Sequence, residues 1–223
     1  MSSTFQTDFD RIALVSPEGE LHNEHYHGFL LNQLRSRCEE VLEIGCGSGS
    51  FARALAARSG HVLALDLSPE MIRMARERSA PFQNIDFQVG DILDWDLPQD
   101  HFHCIASIAT LHHLSLREML LKMKAALKPG GTLLILDLFE PGGAWDFVLN
   151  PFALSVSTAL RLSKQRRLFQ TREARAAWAA HEVHDLYLRM KEVHALCDEK
   201  TLPNAQVRKH LLWRYSIVWT KPA

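Results

Sequence analysis

Between residues 41 and 139, short apolar runs alternate with longer runs whose apolar residues recur at helical spacing. EVLEIG, HVLALDLS, NIDFQVGD, HFHCIASIA and TLLILDLF read as five strands. SFARALAARSG between the first two reads as a helix stopped by Gly60, and SPEMIRMARERSA as the next helix. Ser68 suits that second helix as an N-cap, with Pro69 in its first turn and Glu70 at its positive end. SLREMLLKMKAALKPGG reads as a third helix, closed by Pro129, Gly130 and Gly131. Strands alternating with helices imply βαβ units and a mainly parallel sheet. Such crossovers are right-handed, so a ligand is expected at the carboxyl ends of the strands.

The flanks differ from this core. HNEHYHGFLLNQLRSRC reads as one helix leading into the first strand. No strand pattern stands out over 141–200, and TREARAAWAAHEVHDLYLRMKEVHALCDEK reads as one long helix. The last residues read as two strands, 206–213 and 215–220, joined tightly near Arg214. The expected fold is α/β: a Rossmann-like seven-stranded mainly parallel sheet with a C-terminal antiparallel hairpin. Helices cover both faces, and a helical lid follows strand 5. One domain is expected over 1–223: a helical segment 1–40, a core 41–140, a lid 141–200 and a terminal strand pair 201–223.

Composition narrows the partners. A net charge of -1 over 223 residues gives no electrostatic reason to propose nucleic acid. Four scattered cysteines, none in a C-x-x-C pair, suggest neither a zinc site nor a disulfide framework. The N-terminus lacks the basic start and apolar core of a signal peptide, and no run approaches the roughly 18 apolar residues of a membrane span. A cytoplasmic protein, monomer or homodimer, is expected.

The chemistry starts at VLEIGCGSGSF. Gly45, Gly47 and Gly49 run G-x-G-x-G, with Ser50 where a dinucleotide fingerprint needs its third small residue. A phosphate-binding P-loop needs a lysine, which this stretch lacks. Glu43 instead places an acid beside the turn, which suits a ligand carrying ammonium or sulfonium charge. VLEIGCGSG, LALDLSPEMI, VGDILDWDLP and FHCIASIATLHHL followed by LKPGGTLLILDL together resemble the motifs of class I S-adenosylmethionine-dependent methyltransferases, of the small-molecule type, in the family's order.

The resemblance implies S-adenosylmethionine as cofactor and assigns roles. Gly45, Gly47 and Gly49 would admit its methionine part, and Glu43 would orient the amino group. Asp66 would accept from both ribose hydroxyls, and Leu67 and Met71 would pack on adenine. Asp91 would accept from the adenine amino group, the Ile92 amide would donate to the ring, and Ser107 would offer its carbonyl. Tyr26 or His27, on the leading segment, would close over the methionine carboxylate.

Methyl transfer is an in-line displacement that mainly needs a positioned acceptor. His112, with His113, follows the fourth strand at the ligand end and is a candidate base. Arg214 or Tyr215 would face an anionic or aromatic acceptor if the sixth strand runs parallel to the first five. The 141–200 segment carries an apolar wall, including Trp145 and Phe152, before a basic run at Arg161, Lys164, Arg166 and Arg167. It would select the acceptor, lie on a membrane surface or form a dimer face. His181, His184 and His194 share one expected helix without a cysteine, so they read as solvated or packing residues, and no metal is expected. Two other readings stay open: a nicotinamide-dependent oxidoreductase, and a non-catalytic S-adenosylmethionine-binding partner protein.

Overall fold

The protein is described from a computed structural model covering residues 2–15, 21–34, 37–142, 155, 171–181, 185–198 and 200–223. Each of the five apolar runs of the core forms a strand: β1 Cys38–Ile44, β2 Ser59–Asp66, β3 Ile85–Val89, β4 Phe102–Ile108 and β5 Leu127–Leu138. They join a terminal pair, β6 Gln206–Lys209 and β7 Arg214–Thr220, in one seven-stranded sheet of order β3-β2-β1-β4-β5-β7-β6. β1 to β5 are parallel, whereas β7 runs antiparallel to both β5 and β6. β6 is therefore parallel to the first five, and the β6–β7 turn lies at the carboxyl end of the sheet.

Both faces of the sheet are buried, because successive strand side chains point to opposite sides. Leu42, Ile44, Leu65, Ile105, Leu133 and Ile135 pack on one face with Leu116, Met119, Leu120 and Met123 of a helix at Leu116–Ala126. Val41, Val62, Ala64, Cys104, Ala106, Leu134 and Leu136 pack on the other with helices at Ser50–Ala56 and Pro69–Arg78. Each fully buried leucine here contributes about 1.5–3 kcal/mol of burial.

The helices are, in chain order, α1 Ser2–Val15, α2 Leu21–Glu24, α3 His27–Leu31, α4 Ser50–Ala56, α5 Pro69–Arg78, α6 Leu116–Ala126, α7 Arg172–His181 and α8 Met190–Leu196. The expected cap of α5 is present: Ser68 is extended, and its hydroxyl accepts from the Met71 amide.

Several expected boundaries are corrected. α4 ends at Ala56, and Gly60 lies inside β2, where a Cβ would meet the Glu39 backbone at 2.9 Å. Close strand approach, not helix termination, accounts for that glycine. The expected single helix before β1 is two short ones, α2 and α3. Pro129, Gly130 and Gly131 do not close α6 as a turn but lie in the irregular start of β5, where its register against β4 shifts. The terminal hairpin turns over residues 210–213, with Leu212 and Trp213 at φ 60° and 54°, so Arg214 begins β7.

The expected long helix of 171–200 is also broken. α7 ends at His181, and the chain before α8 is extended, with Leu188 bridging Phe139 beyond the end of β5. Leu186 donates to the His112 carbonyl at 3.0 Å, drawing residues 185–188 onto the ligand end of the sheet. The apolar wall and basic run of the expected lid lie outside the described residues. α1 packs on α5 and α7, so it too covers that end.

Candidate functional site

The loop after β1 is shaped by three positive backbone angles, at Gly45 (φ 73°), Gly47 (49°) and Gly49 (77°). Side chains rarely adopt this conformation, but the three glycines differ in what surrounds them. A Cβ at Gly45 would meet the Thr110 hydroxyl at 2.0 Å, and one at Gly49 would meet Phe87 at 2.9 Å. Those two positions are closed by the protein's own packing. At Gly47 a Cβ would meet nothing within 4 Å, so that side of the loop opens into a cradle.

Two acids face the same loop. Asp66 accepts from the Gly47 amide at 2.7 Å through one oxygen and from the Ser68 amide at 2.9 Å through the other. Burial pushes its carboxyl up to about 6, against the pull of the Ser68 and Gly47 amides. Glu43 is 2% exposed, and its Oε2 has no hydrogen-bond partner among the described residues. Burial, and after it the charge of Asp66, pushes Glu43 well above the usual carboxylate range. A buried acid with one oxygen unmet awaits a donor. An open cradle beside two buried acceptors fits a cofactor carrying an amino group and hydroxyls.

The remaining expected cofactor residues ring this loop. Ser107 is buried at the end of β4, and its hydroxyl donates to the Ile44 carbonyl at 3.0 Å. Leu67 and Met71 are half-buried at the start of α5. Asp91 accepts from the Leu93 amide at 2.9 Å, which fixes the turn carrying the buried Ile92. Asp10 of α1 accepts from the Ser68 hydroxyl and the Glu70 amide, so α1 is tied to the rim beside Asp66.

Tyr26 and Arg214 come together on the hairpin side. The Tyr26 hydroxyl donates to the Leu211 carbonyl at 2.8 Å. Arg214, only 6% exposed, donates to Asn23 Oδ1 at 3.0 Å and to the Leu212 carbonyl at 2.7 Å. These bonds brace α2 and α3 against the hairpin turn. His27 stacks on Phe51 with ring centroids 4.8 Å apart. Tyr215 is buried across from Asp137, and burial raises its hydroxyl well above the usual range.

The sequence did not reveal the cluster beyond β4. His112 and His113 sit in a 3-10 turn at Leu111–His113. His112 Nδ1 lies 2.6 Å from Asp137 Oδ1 near the end of β5, which fixes the Nδ1–H tautomer and leaves a lone pair on Nε2. Asp185 lies 3.1 Å from His113 Nδ1, 3.8 Å from His181 Nε2 and 3.9 Å from His112 Nε2. The Tyr187 hydroxyl donates to Asp185. Burial pushes Asp185 upward, but the neighbouring His113 and Tyr187 hold it below the usual carboxylate range. His181 is 2% exposed, a packed residue and not a solvated one, and burial lowers its pKa. His194 is exposed on α8, and His184 lies outside the described residues.

Residues 41–131 match the family model of the methyltransferase domain. An uncharacterized methyltransferase of Mycobacterium tuberculosis is 28% identical over 207 residues, covering 90% of this chain and 96% of the relative. Demethylmenaquinone methyltransferase of Tropheryma whipplei is 34% identical over 106 residues, 46% of this chain and 43% of that one. The fold is similar to the crystal structure of an S-adenosylmethionine-dependent methyltransferase from Aquifex aeolicus, with TM-score 0.59 and 16% identity over 99% of this chain and 98% of that one. Family model, relatives and sheet order agree with the glycine loop and its two acids in supporting a class I S-adenosylmethionine-dependent methyltransferase, with the methyltransferase domain matched over residues 41–131.

Proposed function

We propose that this methyltransferase binds S-adenosylmethionine between Glu43 and Ser107 and passes its methyl group to a small-molecule acceptor held on the α1 side of the site. The observation that carries the cofactor assignment is the cradle at Gly47, open to a ligand while the flanking glycines are filled by Thr110 and Phe87. Gly45 to Gly49 line the methionine part, and Glu43 meets the amino group with its unpartnered oxygen. Asp66 turns to the ribose hydroxyls, Leu67 and Met71 pack on adenine, Asp91 and the Ile92 amide hold its edge, and the Ser107 carbonyl faces the amino group.

The cofactor supplies a methyl group already activated by sulfonium, so the chain's task is to align the acceptor and exclude water. Such positioning supplies roughly 7–11 kcal/mol of barrier reduction. The His112–Asp137 pair is the catalytic assignment on the acceptor side: Asp137 fixes the imidazole, and the Nε2 lone pair draws the acceptor's proton. The 141–200 segment is proposed to complete the acceptor pocket within one domain. Among the described residues, no helix is long and apolar enough to cross a membrane.

The glycine contrast makes a test. Gly47→Val is expected to fold with a cost of about 1–3 kcal/mol from its positive φ, yet to lose cofactor binding, because the branch fills the cradle. Gly45→Val adds a collision with Thr110 and is expected to fold poorly. Calorimetry and thermal melts on the pair check this; cofactor binding by folded Gly47→Val at wild-type strength contradicts the assignment.

A pH dependence follows from Asp66. Its carboxyl gains a proton as pH falls through about 6, removing an acceptor from the ribose. Cofactor affinity is therefore expected to hold from pH 8 to 7 and to weaken below 6. The ligand-free protein shows the opposite sign. A carboxyl raised by folding binds its proton more tightly in the native state, so stability falls as pH rises from about 4 to 6, by at most about 3 kcal/mol. Calorimetric titrations across pH 5–8 on wild type and Asp66→Asn check the first sign; an identical acid limb in both contradicts it.

A further inference from the structure

We infer that His112, His113 and Asp185 form a binding site for one divalent first-row transition-metal ion, with His181 at its edge. One ligand atom from each of the first three lies within 4.8 Å of the others. Metal bonds of about 2.0–2.2 Å place neighbouring ligand atoms roughly 3–4 Å apart. Asp185 already stands 3.1 Å from His113 Nδ1, 3.9 Å from His112 Nε2 and 3.8 Å from His181 Nε2.

The unmet polar atoms are the second observation. His113 Nδ1 and Asp185 Oδ1 face each other at 3.1 Å as an ion pair, yet neither atom has a well-aligned hydrogen-bond partner among the described residues. Their side chains are 6% and 3% exposed. Leaving such atoms unmet is costly. An ion accepts both lone pairs without the in-line geometry that a shared proton demands.

The surroundings match what metal ligands need. His112 gives its Nδ1–H to Asp137, the carboxylate–histidine arrangement that orients an imidazole and raises its basicity toward a metal at the other nitrogen. Asp137 and Asp8 add two further carboxylates around the imidazoles, and a divalent cation compensates their charge. Phe5 and Phe9 of α1 lie over His113 and His181, with ring centroids 4.5–6.1 Å apart, and shield the cluster. Two or three imidazoles with one carboxylate favour zinc, cobalt, iron or manganese over the oxygen-seeking magnesium and calcium.

The site joins the turn after β4 to His181 and Asp185, with α1 lying over the imidazoles, so an ion there fastens the cover to the sheet. With the ion bound, His112 serves it through Nε2, and an acceptor's proton is loosened by the cation instead. Only this last use rests on the methyl-transfer reading; ion binding stands on the cluster alone.

The test uses the full chain, stripped with EDTA and dialysed, then titrated with cobalt(II). We expect visible absorption bands that saturate at one cobalt per chain, disappear when zinc(II) is added, and accompany a rise in melting temperature. Asp185→Asn and His113→Gln are expected to weaken cobalt binding at least 10-fold, while His194→Ala, at an exposed histidine, leaves it unchanged. Absence of bands and of thermal stabilisation in wild type overturns the site. So does binding that is lost in His194→Ala or kept at full strength in both cluster variants. Calorimetry of the stripped protein with S-adenosylmethionine separates the two readings, because failure of the metal site leaves that binding in place.

Discussion

Replacing His112 with alanine is expected to lower methyl transfer about 10²–10³-fold while S-adenosylmethionine affinity changes by less than about 0.5 kcal/mol. His112 lies beyond β4, across from Asp137. The variant leaves the Asp137 carboxylate without that partner, which costs about 1–3 kcal/mol of stability. His112→Gln keeps more of the volume and is expected to lose activity with less loss of stability. Asp137→Asn leaves the ring in place but loosens its tautomer, so an intermediate loss is expected. The check is transfer of radiolabelled methyl into metabolite extract, beside a melt and a cofactor titration. Wild-type transfer by a folded His112→Ala contradicts the acceptor assignment, whether His112 works alone or through the ion.

The second large effect falls on the cofactor. In the proposed role of Asp66, Asp66→Ala removes a charged acceptor from two ribose hydroxyls, each such bond contributing about 1.5–3 kcal/mol. It also frees the Gly47 and Ser68 amides that Asp66 holds at 2.7 and 2.9 Å, loosening the turn that shapes the cradle. A loss of at least 100-fold in affinity is expected. Asp66→Asn retains one acceptor oxygen and the side-chain shape, so its expected loss is nearer 10-fold. Unchanged calorimetric affinity in folded Asp66→Ala contradicts the ribose role.

Much of the core was legible because strands buried on both faces read as nearly continuous apolar runs, as in β4 and β5, while the edge strand β3 shows the alternation of Ile85, Phe87 and Val89 with Asp86 and Gln88. The order of the glycines and acids was equally visible. What separates Gly47 from Gly45 and Gly49 was not, since their filling partners, Thr110 and Phe87, lie far along the chain. α1 carries Phe5, Phe9, Ile12 and Ala13 at helical spacing, a signal present in the sequence but passed over. The 185–188 stretch follows a helical pattern and was read as helix; tertiary pairing with Phe139 and His112 overrides it. The histidine cluster stayed hidden because its members come from two distant stretches, His112 and His113 in the turn after β4 and the i, i+4 pair His181 and Asp185. The bonds of Tyr26 to Leu211 and of Arg214 to Asn23 were not legible, because they depend on how α2 and α3 meet the hairpin.

The most direct test of the central claim is calorimetric titration of the purified chain with S-adenosylmethionine and, separately, with NAD. The cradle at Gly47, bounded by Glu43 and Asp66 and free of any phosphate-binding lysine, predicts one S-adenosylmethionine site per chain and no measurable heat with NAD. Saturable binding of NAD with none of S-adenosylmethionine contradicts it.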